Sequence, residues 1–128
     1  MAKPESVFWQ QIKKNIKGIS FTRLESWASL GVPDLLCYNE KGTFFTVELK
    51  VTKSNKISLS PHQIAFHVKH PNNTFILTKS LDPCALKLYG GTIKLYKGSR
   101  IMELKEKGLK LDACCLGLEA CNLYFQNL

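Results

Sequence analysis

No apolar run in this chain approaches the roughly twenty residues that a membrane-spanning helix requires. Met1-Ala2-Lys3-Pro4-Glu5 also lacks the apolar core of a signal peptide. The expectation is a cytoplasmic protein with no membrane partner. Arginine is scarce, with only Arg23 and Arg100 among 18 basic residues. That scarcity disfavours bidentate reading of bases and suits attraction to phosphate by lysine point charges. The five cysteines (Cys37, Cys84, Cys114, Cys115 and Cys121) include no CxxC pair. A zinc site from Cys114, Cys115, Cys121 and a histidine would match no usual ligand spacing. Reduced thiols serving as small apolar side chains are the expectation. Internal repeats and low-complexity segments are missing as well.

What is present fits one globular domain. At 128 residues, 45% hydrophobic and 22% charged, the chain can bury about two thirds of its unfolded surface. The domain divides into a core over about residues 5–110 and an apolar, cysteine-rich tail over 111–128. The net charge is +8, from 18 basic against 10 acidic residues. Either a solvated basic surface or a polyanionic partner accounts for it, while scattered bases argue against an amphipathic membrane helix.

Periodicity predicts a helix over 5–17, where Phe8, Ile12 and Ile16 recur every four residues and Gly18 stops it. Phe8 and Trp9 read as core rather than as a platform for stacking bases. Ser20 to Glu25 alternates as a short strand or an irregular lead-in, and residues 26–30 suit one helical turn. Pro33 opens a buried strand over 35–38, and Asn39-Glu40-Lys41-Gly42 joins it antiparallel to a second strand over 43–51. Lys53 to Lys56 form a polar, basic loop. Ser60 caps a helix over 61–70 with Pro61 at its first position. Ile64, Ala65 and Val68 are expected to face the core, with Gln63, His67 and His70 on the opposite, exposed side. A short buried strand follows at 75–78, then a helix over 85–89, a strand over 92–96 and, over 100–107, either a helix capped by Ser99 or a strand. The tail reads as a packed terminal helix or an oligomer contact. Asn122-Leu123-Tyr124-Phe125-Gln126 also resembles the core of a tag-removal protease site, with Cys121 where the usual Glu would stand. The order of elements gives an α/β domain with a mixed sheet flanked by helices.

One strand departs from its own pattern. Phe45, Val47, Leu49 and Val51 fall on one face by the two-residue period, and Glu48 and Lys50 fall on the other. Burying charge is costly unless the charges are paired or hold a metal. The hairpin brings Asp34, just after Pro33, toward Glu48. Two carboxylates suit a hard divalent cation, which needs few protein ligands and keeps water and phosphate oxygens. Lys50, roughly 7 Å further along the same face, could orient or help deprotonate an attacking water.

Pro33-Asp34 and Glu48-Leu49-Lys50 resemble the two halves of the PD-(D/E)xK nuclease motif. Arg23-Leu24-Glu25, Gly31-Val32-Pro33-Asp34-Leu35, Glu48-Leu49-Lys50-Val51, Ser60 and Gln63 fall in register with it. Together they look like the phage-type VRR-NUC group, small Holliday-junction-resolvase-like nucleases, over roughly residues 8–80. The resemblance implies a restriction-endonuclease-like αβββαβ core and a metal-dependent DNA endonuclease selective for branched DNA. It implies Mg²⁺, with Mn²⁺ able to substitute, bound by Asp34, Glu48, the Leu49 carbonyl and Glu25. Lys50 would be the catalytic lysine, with Gln63 lining the site. DNA, branched or duplex, would be the partner, contacted by Arg23, Lys53, Lys56 and Ser60. A homodimer would supply two sites for a four-way junction. A phage source would place the protein in the host cytoplasm.

Each residue also has a plainer account. Glu48 and Lys50 alone would be an exposed pair on an edge strand, Asp34 a turn cap, Glu25 a surface partner of Arg23, and Gln63 a helix cap. His62, His67 and His70 read as exposed histidines. A non-catalytic nucleic-acid-binding module of the same fold is the competing function.

Overall fold

A computed structural model describes residues 4–24, 30–81 and 91–128. Glu25, residues 26–29 of the turn expected over 26–30 and the helix expected over 85–89 lie outside the described residues.

Helix α1 (Pro4–Asn15) leads into β1 (Ser20–Arg23), β2 (Leu35–Tyr38) and β3 (Phe44–Thr52). Helix α2 (Pro61–Lys69) then precedes β4 (Thr74–Ser80) and β5 (Thr92–Lys97). Helix α3 (Ile101–Lys107), the short β6 (Cys115–Leu116) and α4 (Leu118–Gln126) complete the chain. The six strands form one sheet in sequence order, β1 to β6. Every neighbouring pair is antiparallel except β3 and β4, which run parallel with Glu48 beside Ile76 and Lys50 beside Thr78. A parallel pair needs a crossover, and α2 supplies it.

The period of two sorts the strands into two cores. Leu35, Cys37, Phe45, Val47, Leu49, Phe75, Leu77 and Leu95 pack on one face against Phe8, Trp9, Ile12 and Ile16 of α1 and Cys121 and Phe125 of α4. Ile76 and Tyr96 pack on the other face against Ile101 and Leu104 of α3, with Leu109, Leu111, Ile57, Leu59 and Ile64 around them. The second core is the smaller one. It covers β4 and β5 and leaves Thr46, Glu48 and Lys50 of β3 beyond its apolar rim.

Helix α2 is rotated from the orientation its apolar residues predict. Val68 is 57% exposed and Ala65 is exposed, while His67 is completely buried and Ile64 packs on the second core. His67 tolerates burial because its Nδ1 lies 2.8 Å from the Gln63 carbonyl, one turn back. A carbonyl only accepts, so Nδ1 carries the proton. Burial then holds the ring's pKa below its ordinary value of 6.5, keeping it neutral. A second correction concerns α3: its N-cap is Arg100, which makes no side-chain cap bond, and Ser99 sits in a preceding 3₁₀ turn. Arg100 pairs instead with Glu103 at 2.7 Å.

The tail packs into the fold. Phe125 stacks on Phe45 with ring centroids 4.7 Å apart. Buried Asn39 of the β2–β3 turn donates from Nδ2 to the Phe125 carbonyl at 2.9 Å, and Thr43 Oγ1 donates to the Leu128 carbonyl at 3.0 Å.

Candidate active site

Pro33 is buried at the approach to β2 and fixes the turn that carries Asp34. Leu35 pairs with Val47, so one step further along this antiparallel ladder sets Asp34 opposite Glu48. Residues paired in this way share a sheet face. Asp34 Oδ2 accepts a hydrogen bond from the Leu49 amide at 2.8 Å, and the Asp34 carbonyl accepts one from Leu24 at 2.9 Å. One carboxylate oxygen is thereby fixed, and the carboxyl also makes a side-chain hydrogen bond with Glu48. The Leu49 carbonyl lies on the same strand edge as its amide, since both groups of a strand residue face one neighbour.

Glu48 is 2% exposed, and its Oε1 has no hydrogen-bond partner among the described residues. An ionised carboxylate in that position is unstable without a counter-charge. Burial pushes the Glu48 carboxyl up to about 10. Sharing a proton with Asp34, and the Asp34 charge itself, add to the rise, while Lys50 opposes it. Lys50 is half-buried two residues on. Among the described residues the one ion pair is Arg100–Glu103, so Glu48 and Lys50 are near without being bonded.

Glu5, in the first turn of α1, also acts on this carboxyl and raises it further. Sequence reasoning missed it. An acid in a helix's first turn reads as an ordinary complement to the helix dipole, and 43 residues separate it from Glu48.

The turn at 31–34 is fixed against α2. Gly31 has φ +82°, and a Cβ there would collide with the His62 carbonyl in the first turn of α2. The absence of a side chain therefore lets the turn seat against the first turn of α2. Gln63 itself completes a capping box: its Oε1 accepts from the Ser60 amide at 3.0 Å, and Ser60 Oγ accepts from the Gln63 amide at 3.1 Å. The Ser60 hydroxyl is thus a cap, and the amide nitrogen of Gln63 is the atom left over.

Two more buried atoms resemble Glu48 Oε1. Thr46 Oγ1 and His67 Nε2 also lack partners among the described residues, and all three lie on the α2 side of the sheet. Thr46 follows the same face as Glu48, two residues back. With Nδ1 holding the proton, His67 Nε2 presents a lone pair.

The positions expected to touch DNA divide. Lys53, Lys56 and Ser60 are exposed on the segment joining β3 to α2. Arg23 pairs with Leu35 and so faces the opposite side, its guanidinium 5.8 Å from the Trp9 ring. Phe8 and Trp9 are core residues. Cys37 and Cys121 are buried free thiols raised by burial, Cys121 to about 12.

Divalent-cation binding can be judged from the donor set. Asp34 and Glu48 meet through a carboxyl–carboxyl hydrogen bond, and Glu48 Oε1 has no partner among the described residues. No group of three His, Cys, Asp or Glu residues converges among the described residues. Two carboxylates suffice for Mg²⁺, which keeps several waters, and fall short of a closed zinc site. The residues present therefore fit a hard divalent ion. Comparison with protein-family models, curated proteins and solved structures finds no match to this chain.

Proposed function

We propose that this protein is a metal-dependent DNA endonuclease of the PD-(D/E)xK type, selective for branched DNA. The observation that carries the reading is Glu48: a carboxylate 2% exposed, with an unpartnered oxygen, set opposite Asp34 on the face that bears Lys50. The order α1-β1-β2-β3-α2-β4 supports a restriction-endonuclease-like core. A Mg²⁺ or Mn²⁺ ion, when bound, supplies Lewis acidity at the scissile phosphate.

The chain's own residues do the rest. Asp34 and Glu48 hold the cation, with Oδ2 of Asp34 kept in place by the Leu49 amide. The Leu49 carbonyl and Glu25 belong to the proposed ligand set through the family resemblance, and Glu5 adds negative charge nearby. Lys50 orients the attacking water, takes part in removing its proton and offsets charge on the phosphate. Water oxygen bonds to phosphorus as the bond to the 3′ oxygen breaks, leaving a 5′-phosphate and a 3′-hydroxyl. Gln63 positions, through its free amide nitrogen. Lys53 and Lys56 hold the flanking backbone. A homodimer would present two such sites to a four-way junction.

The test is a Mg²⁺ and Mn²⁺ cleavage panel over linear duplex, single-stranded, flap and four-way-junction DNA. Cleavage is expected to need metal, to stop in EDTA, and to fall at least about 10³-fold in Glu48→Ala and Lys50→Ala proteins that still fold. Activity that persists in either variant or ignores EDTA removes the nuclease reading. Equal rates on linear duplex and junction remove the branched-DNA preference. Salt-sensitive DNA binding without any nicking would leave a binding module.

A further inference from the structure

We infer that a lysine-lined cleft between the β3–α2 loop and the end of α3 is a second contact site for the DNA backbone, separate from the carboxylates. The cleft has a volume of about 520 Å³ and is walled by Lys56 on one side and by Lys105, Lys107 and Lys110 on the other. Glu106 is the one acidic residue on its wall among the described residues. Four lysines from two segments some fifty residues apart repel one another. None has a carboxylate within 4 Å among the described residues.

The two walls are joined by a fixed contact. The Leu109 amide donates to the Asn55 carbonyl at 2.7 Å. Gly108, at φ +61°, has no room for a Cβ against that same carbonyl. Lys94 Nζ at 2.9 Å and the Tyr96 hydroxyl at 3.1 Å both donate to the Leu109 carbonyl, tying this wall to the sheet. The lysines therefore project from an anchored rim.

The cleft also lies on the right face. Helix α3 packs through Ile101 and Leu104 on the sheet face of Ile76, which pairs with Glu48. Six residues separate Lys50 from Lys56, at most about 20 Å of extended chain. That span corresponds to about six base pairs of duplex rise. A duplex arm with its scissile phosphate at Glu48 and Lys50 would thus run its backbone through the cleft. Lysine point charges hold phosphates without reading bases, as a nuclease that selects shape over sequence requires. The choice of DNA as ligand rests on the proposed function.

The experiment measures binding of fluorescein-labelled 20-base-pair duplex and four-way-junction DNA in EDTA, so that cleavage plays no part. The triple variant Lys105→Ala, Lys107→Ala, Lys110→Ala is expected to bind at least about tenfold more weakly at 0.1 M salt, and its log–log salt slope should be shallower by about 2–3. The control Lys14→Ala, Lys17→Ala, Lys41→Ala removes the same charge from exposed positions elsewhere and should lose less than about threefold. Arginine at the three cleft positions should restore binding. Equal losses in cleft variant and control, or no loss in the cleft variant, overturn the inference. So does a loss of binding to anionic phospholipid vesicles with DNA affinity unchanged. Cleft-dependent binding by a protein that never cleaves sinks the nuclease reading alone. Cleavage with an unchanged KM in the cleft variant sinks the cleft alone.

Discussion

Glu48 is the residue whose chemistry and stability conflict most directly. Its folded pKa, about 10, lies far above the ordinary carboxylate value of 4.5. In the metal-free protein its contribution is therefore fully present below pH 4.5 and is lost as the pH climbs toward 10. Glu48→Gln keeps the shape and removes the proton. In EDTA this variant should melt about 2–5 °C above wild type at pH 8, with the gap closing toward pH 5. Mg²⁺ should raise the melting temperature of wild type and leave the variant unmoved. A gap that does not change with pH would show that this carboxyl is solvated after all. His67 has the opposite sign. Its pKa is lowered by burial, so the unfolded chain takes up a proton that the folded protein refuses, and stability falls as pH drops below 6.5. Wild type should lose stability between pH 7 and 5.5 more steeply than His67→Gln, as read by urea denaturation at each pH. Only one of these two residues was legible in the sequence. Asp34 and Glu48 could be paired because a hairpin register is set by its turn and its alternation. His67 could not, because apolar Val68 and Ala65 proposed one buried stripe and the local bond to Gln63 permits another.

At the level of elements, the strands were the readable part. Strand β2 alternates buried and less buried positions, β3 keeps one apolar face through Phe45, Val47 and Leu49, and the Asn39–Gly42 connection fixes their pairing. Helix α4 was less readable, because a single amphipathic segment does not state which surface it covers. Its partners are 80 to 86 residues away: Asn39 and Thr43 on the turn and Phe45 on β3. Phe125 is 1% exposed, so Phe125→Ala opens a cavity between three aromatic rings. The expected cost is about 3–5 kcal/mol, checked by chemical denaturation. Tyr124, half-buried against Phe75, should lose less on the same change. Removal of residues 118–128 should then abolish folding rather than only an oligomer contact. A folded, active protein lacking this helix would return it to the role of a surface appendage. Glu5 shows the other limit of sequence reading. Its proximity to Glu48 depends on how α1 lies across the sheet, a packing fact with no local signature.

Over the whole molecule, charge works against the fold and for the proposed partner. A net charge of +8 on 128 residues produces self-repulsion in the compact state. Attractive pairs to offset it are few: one exposed ion pair, Arg100–Glu103, stands among the described residues. Such a pair contributes little in water and less in salt. Raising NaCl from 0.05 to 0.5 M shortens the screening length from about 14 to about 4 Å. That range weakens repulsion between the Lys56 and Lys105–Lys110 walls while sacrificing almost no attraction. The melting temperature should therefore rise, by roughly 2–4 °C. DNA affinity must move the other way, because each neutralised phosphate releases a counterion whose gain shrinks as salt increases. Parallel melting and binding titrations on one sample thus give slopes of opposite sign. A falling melting temperature would mean that attractive pairs dominate the charge distribution. A DNA affinity independent of salt would mean that the lysines are a solvated surface and nothing more.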